Sequence, residues 1–330
     1  MPTLVITSIN PANQALRSLA AGCVRHGWKF LLAGDTKSPD DFALDGCEFL
    51  SIRRQQESGF QLAQLAPVRS YTRKNIAYLA AIRDGAECVV ETDDDNHPKD
   101  DFWQPRELTR PAHLITANGW VNAYGYFTET FIYPRGLPLD RARDTPPPPG
   151  ILGDFQCPVQ QGLADADPDV DAVFRMLHAL PIHFEPNASV LLGPGAWCPF
   201  NSQNTTFFPQ AFPLMYLPAH CSFRMTDIWR SFVAQRILHE IGAGVLFHQP
   251  TVWQERNAHD LMKDFADELP GYLHNQAIRE VLLDLNLDAA SGIQRMMEIC
   301  YEALIPNGWV GAQEESLLQA WFADLRGIQT

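Results

Sequence analysis

Three consecutive aspartates, Asp93-Asp94-Asp95, follow a short apolar run, Cys88-Val89-Val90, by way of Glu91 and Thr92. Adjacent carboxylates repel one another unless a cation or water neutralises them. Hard divalent cations take oxygen ligands and keep part of their water. An Asp-X-Asp turn therefore has the chemistry to hold Mn²⁺ or Mg²⁺ against a diphosphate. The position, at the C-terminal end of a predicted buried strand, is where open α/β sheets place their ligands. A solvated acidic loop is the plain alternative.

The turn needs a scaffold, and the chain is long enough to supply one. Its 330 residues are 46% hydrophobic, enough for a sizeable core. A net charge of -14 argues against nonspecific binding to nucleic acid or to an anionic membrane surface. It leaves room for an anionic small substrate, since a metal and a few local cations make a positive site on an acidic protein. The seven cysteines include no Cys-X-X-Cys pair, so neither a zinc site nor a disulfide framework is expected. The N-terminus reads as a strand rather than a signal peptide, and no apolar stretch is long enough to span a bilayer. The expectation is a soluble, cytoplasmic protein with no integral membrane contact.

Hydrophobic periodicity predicts strands at Leu4–Ile9, Lys29–Ala33, Phe49–Ser51 and Cys88–Val90. Between them it predicts helices at Asn13–His26, closed by Gly27, and at Arg73–Asp84, closed by Gly85. This rhythm is that of a Rossmann-like, largely parallel sheet. Later, a helix is expected over Asp227–Ile241, then a strand Val245–Phe247 ending at His248. From about Ala258 onward amphipathic helical patterns dominate.

Several ordered stretches resemble one family. They are Tyr71-Thr72-Arg73-Lys74-Asn75 before the acidic turn, Tyr133-Pro134-Arg135-Gly136, Gln160-Gln161-Gly162 running into Asp167-Pro168-Asp169-Val170-Asp171, Pro199-Phe200-Asn201-Ser202-Gln203-Asn204, and Asp227-Ile228-Trp229-Arg230. The set is similar to the STELLO family of glycosyltransferases, over residues 1 to about 260. The resemblance implies an α/β GT-A-like fold, a mixed, mostly parallel Rossmann-type sheet flanked by helices, with a helical C-terminal appendage. It implies a catalytic domain over residues 1–257, with a nucleotide-binding half (1–100) and an acceptor half (101–257), followed by the appendage (258–330). Plant members carry an N-terminal membrane anchor, which is not expected here. Their acidic turn has Asp where this chain has Glu91. Which of Glu91, Asp93, Asp94 and Asp95 touch metal is therefore open.

By this resemblance the chain moves a sugar from a nucleotide diphosphate sugar, a UDP-sugar in the first instance, to a sugar or glycan acceptor. Asp93 and Asp95 are the expected metal pair, with Asp94 turned toward ribose or acceptor by strand alternation. His248 is the candidate third ligand, and an imidazole there would favour Mn²⁺ over Mg²⁺; a hydrogen-bonded strand-end histidine is the alternative. Ser8, Asn10, Asp35, Lys37, Arg73 and Asn75 are expected around the nucleotide, at strand ends and at a helix N-terminus. Asp227 is the candidate base that inversion requires, against a plain helix cap; retention needs no base. Asp169, Asp171, Asn201, Gln203 and Asn204 are expected to meet acceptor hydroxyls. Arg135 either contacts phosphate or braces its loop through a buried carboxylate pair. Gln254-Glu255-Arg256-Asn257 is expected to close over the diphosphate. Two other readings stay open, a nucleotide-sugar mutase or self-glycosylating protein and a non-catalytic scaffold.

Overall fold

The structure is a computed structural model describing residues 1–257 and 260–329. Its strands are β1 (Thr3–Thr7), β2 (Lys29–Ala33), β3 (Glu48–Leu50), β4 (Val89–Thr92), β5 (Asn96–Pro98), β6 (Thr109–Ile115), β7 (Gly119–Trp120), β8 (Leu152–Gln156), β9 (Val159–Asp165), β10 (Val190–Leu192), β11 (Ala196–Trp197), β12 (Asn204–Phe207) and β13 (Val245–Gln254). Its helices are α1 (Gln14–His26), α2 (Ile52–Gln56), α3 (Gln61–Leu65), α4 (Lys74–Arg83), α5 (Ala172–Leu177), α6 (Thr226–Glu240), α7 (Leu261–Asp284), α8 (Gly292–Leu304) and α9 (Glu314–Gln329).

One sheet runs in the order β3-β2-β1-β4-β12-β9-β13-β10-β6-β8, with β5 added on β13 and a separate β7–β11 pair. The first four strands of that order are parallel. Past β4, the antiparallel β12 intervenes before the parallel pair β9–β13. The sheet is thus mixed, flanked by helices on both faces, in line with the expected α/β class.

Alternation along the strands divides two cores. Leu4 and Ile6 of β1, Leu32 of β2 and Val90 of β4 pack under α1 with Trp28 and Phe102. Val5, Leu31 and Val89 face the larger core of α4, α6 and the C-terminal helices. The same alternation sends Glu91 to the α4/α6 face, two residues after Val89. Asn13 caps α1 by accepting from the Leu16 amide, and Gly27 ends it at φ 69°, a conformation without penalty for glycine.

One expectation changes. The strand expected to stop at His248 continues to Gln254, with an irregularity in its register between His248 and Val252. Pro250, which has no ladder donor, sits within that irregularity. The C-terminal helices are tied into the first half of the chain. Met296, Tyr301 and Trp321 lie in the larger core. Asp324 of α9 accepts from the Gln61 and Leu62 amides at 2.8 and 2.9 Å, capping α3. Buried Glu314 accepts from the His220 amide at 2.8 Å. No described helix is long and apolar enough to cross a membrane.

Candidate active site

A pocket of about 420 Å³ opens beyond the C-terminal ends of β1, β2 and β4. Ser8, Asn10, Asp35, Lys37, Asp93, Asp94, Asp95, Arg135, Asp169, Gln203 and Asp227 all line it, so much of the expected constellation converges.

The acidic turn forms one wall. Asp94 accepts from the Ser8 hydroxyl and from Asn10 Nδ2 at 2.9 Å, fastening the turn to the end of β1. Its carbonyl accepts from Asn13 Nδ2 at 2.7 Å, which connects the helix cap to the same turn. Asp95 accepts from Gln254 Nε2 at 2.8 Å and from the Asn257 amide at 3.3 Å, so the end of β13 folds against it. Asp93 takes one hydrogen bond, from Tyr71 OH at 3.2 Å, and stands 3.8 Å from the ammonium of Lys74, which is fully buried below. Burial pushes the Asp93 carboxyl up to about 7; Asp95, Asp94 and Asp227 add to the rise, and Lys74 opposes it. Burial and the Asp95 charge likewise raise Asp94, against the Ser8 and Asn10 bonds.

Glu91, left open above, points away from the pocket. Arg230 of α6 donates to its two oxygens at 3.1 and 2.7 Å, and Tyr78 of α4 donates to it as well. Its register on the α4/α6 face dictates this.

A second wall is built around Arg135. Its Nε and NH2 donate to Asp169 at 2.7 and 2.8 Å, and NH2 also donates to Asp227 at 2.8 Å. Gly136 follows at φ 90°, and a Cβ there would meet Ile228 Cγ2 at 2.5 Å, so the turn that aims Arg135 needs glycine. Asp227 also accepts from the Ser202 amide at 3.2 Å and from the adjacent Ile228 amide at 3.0 Å. Burial alone would raise Asp227; the charge and hydrogen bonds of Arg135, helped by Arg230 and Arg224, outweigh it and hold the carboxyl at about 2. Asp227 thus lines the pocket as an ion-paired carboxylate, its oxygens engaged by Arg135. Arg135 braces the loop through a carboxylate pair, and its NH1 donates to the Arg224 carbonyl.

Other expected residues lie elsewhere. His248 is not in the pocket wall: its ring packs against Gly162 of β9, and its Nδ1 hydrogen-bonds the Gln249 carbonyl at 2.9 Å. Burial and the charges of Arg106 and Arg110 lower it to about 3. Asp171 caps α5, accepting from the Phe174 amide at 2.7 Å. Arg73 is buried and donates to Gln55 and to the Ala66 carbonyl at 2.6 and 2.9 Å. Asn75 makes a two-way bond with the Leu217 backbone, each arm 2.9 Å. Asn201 accepts from the Gln203 amide, and Asn204 donates to Leu163 O and Thr251 Oγ1. These amides hold crossing segments together and do not line the pocket.

The pocket also has residues that were not expected. Ser202, Phe223 and Arg224 line it from loops without a local motif. Arg69 lines it from a left-handed backbone, φ 56°, unusual for a non-glycine residue. Among the described residues, Arg69 and Lys37 have no hydrogen-bond or ion-pair partner. Arg224 and Arg256 are held from behind by Glu268 and Asp264 of α7, at 3.0 and 2.8 Å.

A family model for STELLO glycosyltransferases matches residues 224–330. "Probable glycosyltransferase STELLO1" of Arabidopsis thaliana is 28% identical over 324 residues, 92% of this chain and 42% of that protein. This chain is similar to the STELLO glycosyltransferases. "Probable glycosyltransferase STELLO2" of the same plant is 26% identical, over 91% of this chain and 41% of its own length. The chain thus spans about two-fifths of the STELLO proteins it matches. The family match begins at Arg224 in the pocket wall and takes in the C-terminal helices, so the STELLO resemblance runs past the limit near residue 260 that the motifs indicate. Among solved structures, glucosyl-3-phosphoglycerate synthase from Mycobacterium tuberculosis overlaps at a TM-score of 0.43 with 10% identity, over 84% of this chain and 79% of that one.

Proposed function

We propose that the pocket binds a nucleotide diphosphate sugar, a UDP-sugar in the first instance, and passes its sugar to a sugar or glycan acceptor with a divalent metal as cofactor. The observation that carries this reading is the pairing of an under-compensated acidic turn with two free cations in one pocket. The kinship with the STELLO glycosyltransferases supports the same class of reaction.

The residues present fit a metal site that is shared with the substrate. Among the described residues no three His, Cys, Asp or Glu side chains are grouped to hold an ion unaided. Mg²⁺ and Mn²⁺, however, are commonly held by one or two carboxylates, water and substrate phosphates. Asp93 and Asp95 would supply the carboxylates. A divalent cation there supplies Lewis-acid stabilisation of the leaving diphosphate. With His248 elsewhere, the nitrogen ligand that favoured Mn²⁺ over Mg²⁺ is gone.

The chain's own residues divide the remaining work. Asp94, through Ser8 and Asn10, fixes the turn in place. Lys37 and Arg69 offer charge to the diphosphate, a role in which charge-assisted bonds are strong. Asp35, whose carboxylate already accepts from the Thr36 and Ser70 amides at 2.6 and 2.8 Å, shapes the rim where a base or ribose would sit. Gln254 and Asn257 close the β13 end against Asp95. Arg135 holds Asp169 and Asp227 rigidly opposite the turn, leaving the acceptor side pre-organised.

The test is calorimetry of UDP with and without Mn²⁺ on the wild type, Asp93→Ala and Asp95→Ala. We expect metal-dependent UDP binding in the wild type, weakened at least about 100-fold in both variants. Unchanged UDP affinity in both would remove the metal assignment.

A further inference from the structure

A second pocket, of about 480 Å³, lies beside the first. His220, Ser222, Trp229, Pro270, His274 and Trp309 line it, and no Lys, Arg, Asp or Glu does. The two pockets meet at consecutive residues: Ser222 lines the second and Phe223 the first. Phe223 is 59% exposed, and its ring stands edge-on to Tyr71 of the first pocket, centroids 6.3 Å apart.

The lining is chemically specific. Trp309 and His274 stand with ring centroids 6.0 Å apart and planes at 40°. Trp229 is buried, its Nε1 committed to Asn275 at 2.8 Å. By contrast, the imidazoles of His220 and His274 and the Trp309 Nε1 have no hydrogen-bond partner among the described residues. A neutral imidazole offers one donor and one acceptor, and an indole offers a donor beside an apolar face. That combination matches a sugar ring, with C–H groups on its faces and hydroxyls on its edge. The absence of charge disfavours a phosphate or nucleotide, and no group of metal ligands is present here among the described residues.

We infer that this second pocket is a distal subsite for a neutral sugar unit, and that the acceptor is an oligosaccharide long enough to cross Phe223. The inference deepens the glycosyl-transfer reading and rests on it for the word acceptor. The reacting end of the oligosaccharide lies in the first pocket, and a unit further along stacks on Trp309 with its hydroxyls on His220 and His274.

The experiment is ligand-detected saturation-transfer NMR on the full chain. The probes are cellotetraose, mannotetraose, xylotetraose and N-acetylchitotetraose, with tetragalacturonate as a charged control. We expect at least one neutral tetrasaccharide to bind, and its affinity to fall about tenfold in both Trp309→Ala and His274→Ala, the scale of one lost aromatic contact. Because Trp309 also packs on the core, His274→Ala and a melting curve guard against simple unfolding. Binding by none of the four, equal affinity in His274→Ala, or equal binding of tetragalacturonate overturns the inference. Mn²⁺-dependent UDP binding, measured on the same samples, separates the two ideas. No sugar binding by the wild type, with UDP binding intact, refutes the subsite alone. Sugar binding without any UDP binding upholds the sugar site and refutes the donor reading.

Discussion

Asp93, Asp94 and Asp95 on one wall of the pocket and Asp169 and Asp227 on the other are the same side chain in opposite electrostatic states. The first wall gathers three carboxylates, of which Asp93 stands 3.8 Å from the buried Lys74 ammonium and is driven by burial up to about 7. The second sets two carboxylates on one guanidinium that meets them with four hydrogen bonds of 2.7 to 3.0 Å, and Asp227 is held well below the usual carboxylate range. One wall lacks countercharge and the other has it built in. In the proposed reading a carboxylate that lacks it receives a cation from outside, whereas one already completed by Arg135 is part of the frame. Residue type alone does not separate the two; the source of the opposing charge does.

The largest effect is expected from breaking the completed wall. Arg135→Met leaves Asp169 and Asp227 buried without the guanidinium that bridges them and should destabilise the fold by about 3–5 kcal/mol, read by urea unfolding at pH 7. A loss under about 1 kcal/mol would remove the brace from the account. Asp93→Asn sharpens the contrast from the other side. It relieves repulsion among the three aspartates, so stability should hold or rise by up to about 1 kcal/mol.

This contrast also explains how far the sequence could be read. The parallel strands, α1, α4 and α6 were visible because they run long enough for hydrophobic periodicity to show. Helices α2, α3 and α5, of five, five and six residues, are too short for that. Ser8, Asn10, Asp35 and Lys37 reach the pocket because strand ends in an open sheet point there. Arg73 and Asn75 do not, because α4 begins beneath the pocket floor and its first turn is spent on Gln55 and Leu217. Asn201 and Asn204 were expected at a ligand because amides suit sugars. They serve the backbone because β12 runs antiparallel between two parallel blocks, a placement that no local pattern announces. Arg69 was missed because a left-handed arginine leaves no mark in the chain.

Arg69 supplies the next test. It lines the same pocket as the under-compensated wall, free of partners among the described residues. Arg69→Gly removes the cation and relaxes a backbone that glycine adopts readily. UDP binding in Mn²⁺ should weaken about tenfold, the equivalent of one charge-assisted contact. Unfolding free energy should stay within about 0.5 kcal/mol of the wild type. Unaltered UDP affinity would mean that the diphosphate is held without this wall.

The smallest effect concerns His248, the histidine expected at the acidic turn and found behind it. Burial, with Arg106 and Arg110 adding, lowers it to about 3; burial, with Arg236 adding, lowers His239 to about 4. An unfolded histidine takes up its proton near 6.5. Between that value and the lowered folded values, the unfolded chain binds protons that the folded chain refuses. These two histidines therefore weaken the fold as pH falls through that window. Asp93 and Asp171, raised by burial to about 7 and 6, act with the opposite sign, so the bare pH profile mixes the two. The difference between wild type and His248→Gln cancels the shared carboxylate contributions. The variant should gain about 2 kcal/mol relative to wild type on going from pH 7 to pH 5. Its Mn²⁺-dependent UDP affinity should stay within about twofold, since a metal-ligand loss would cost ten times that or more. A parallel pair of stability curves with a collapsed UDP affinity would return His248 to the acidic turn and erase the distinction between the two walls.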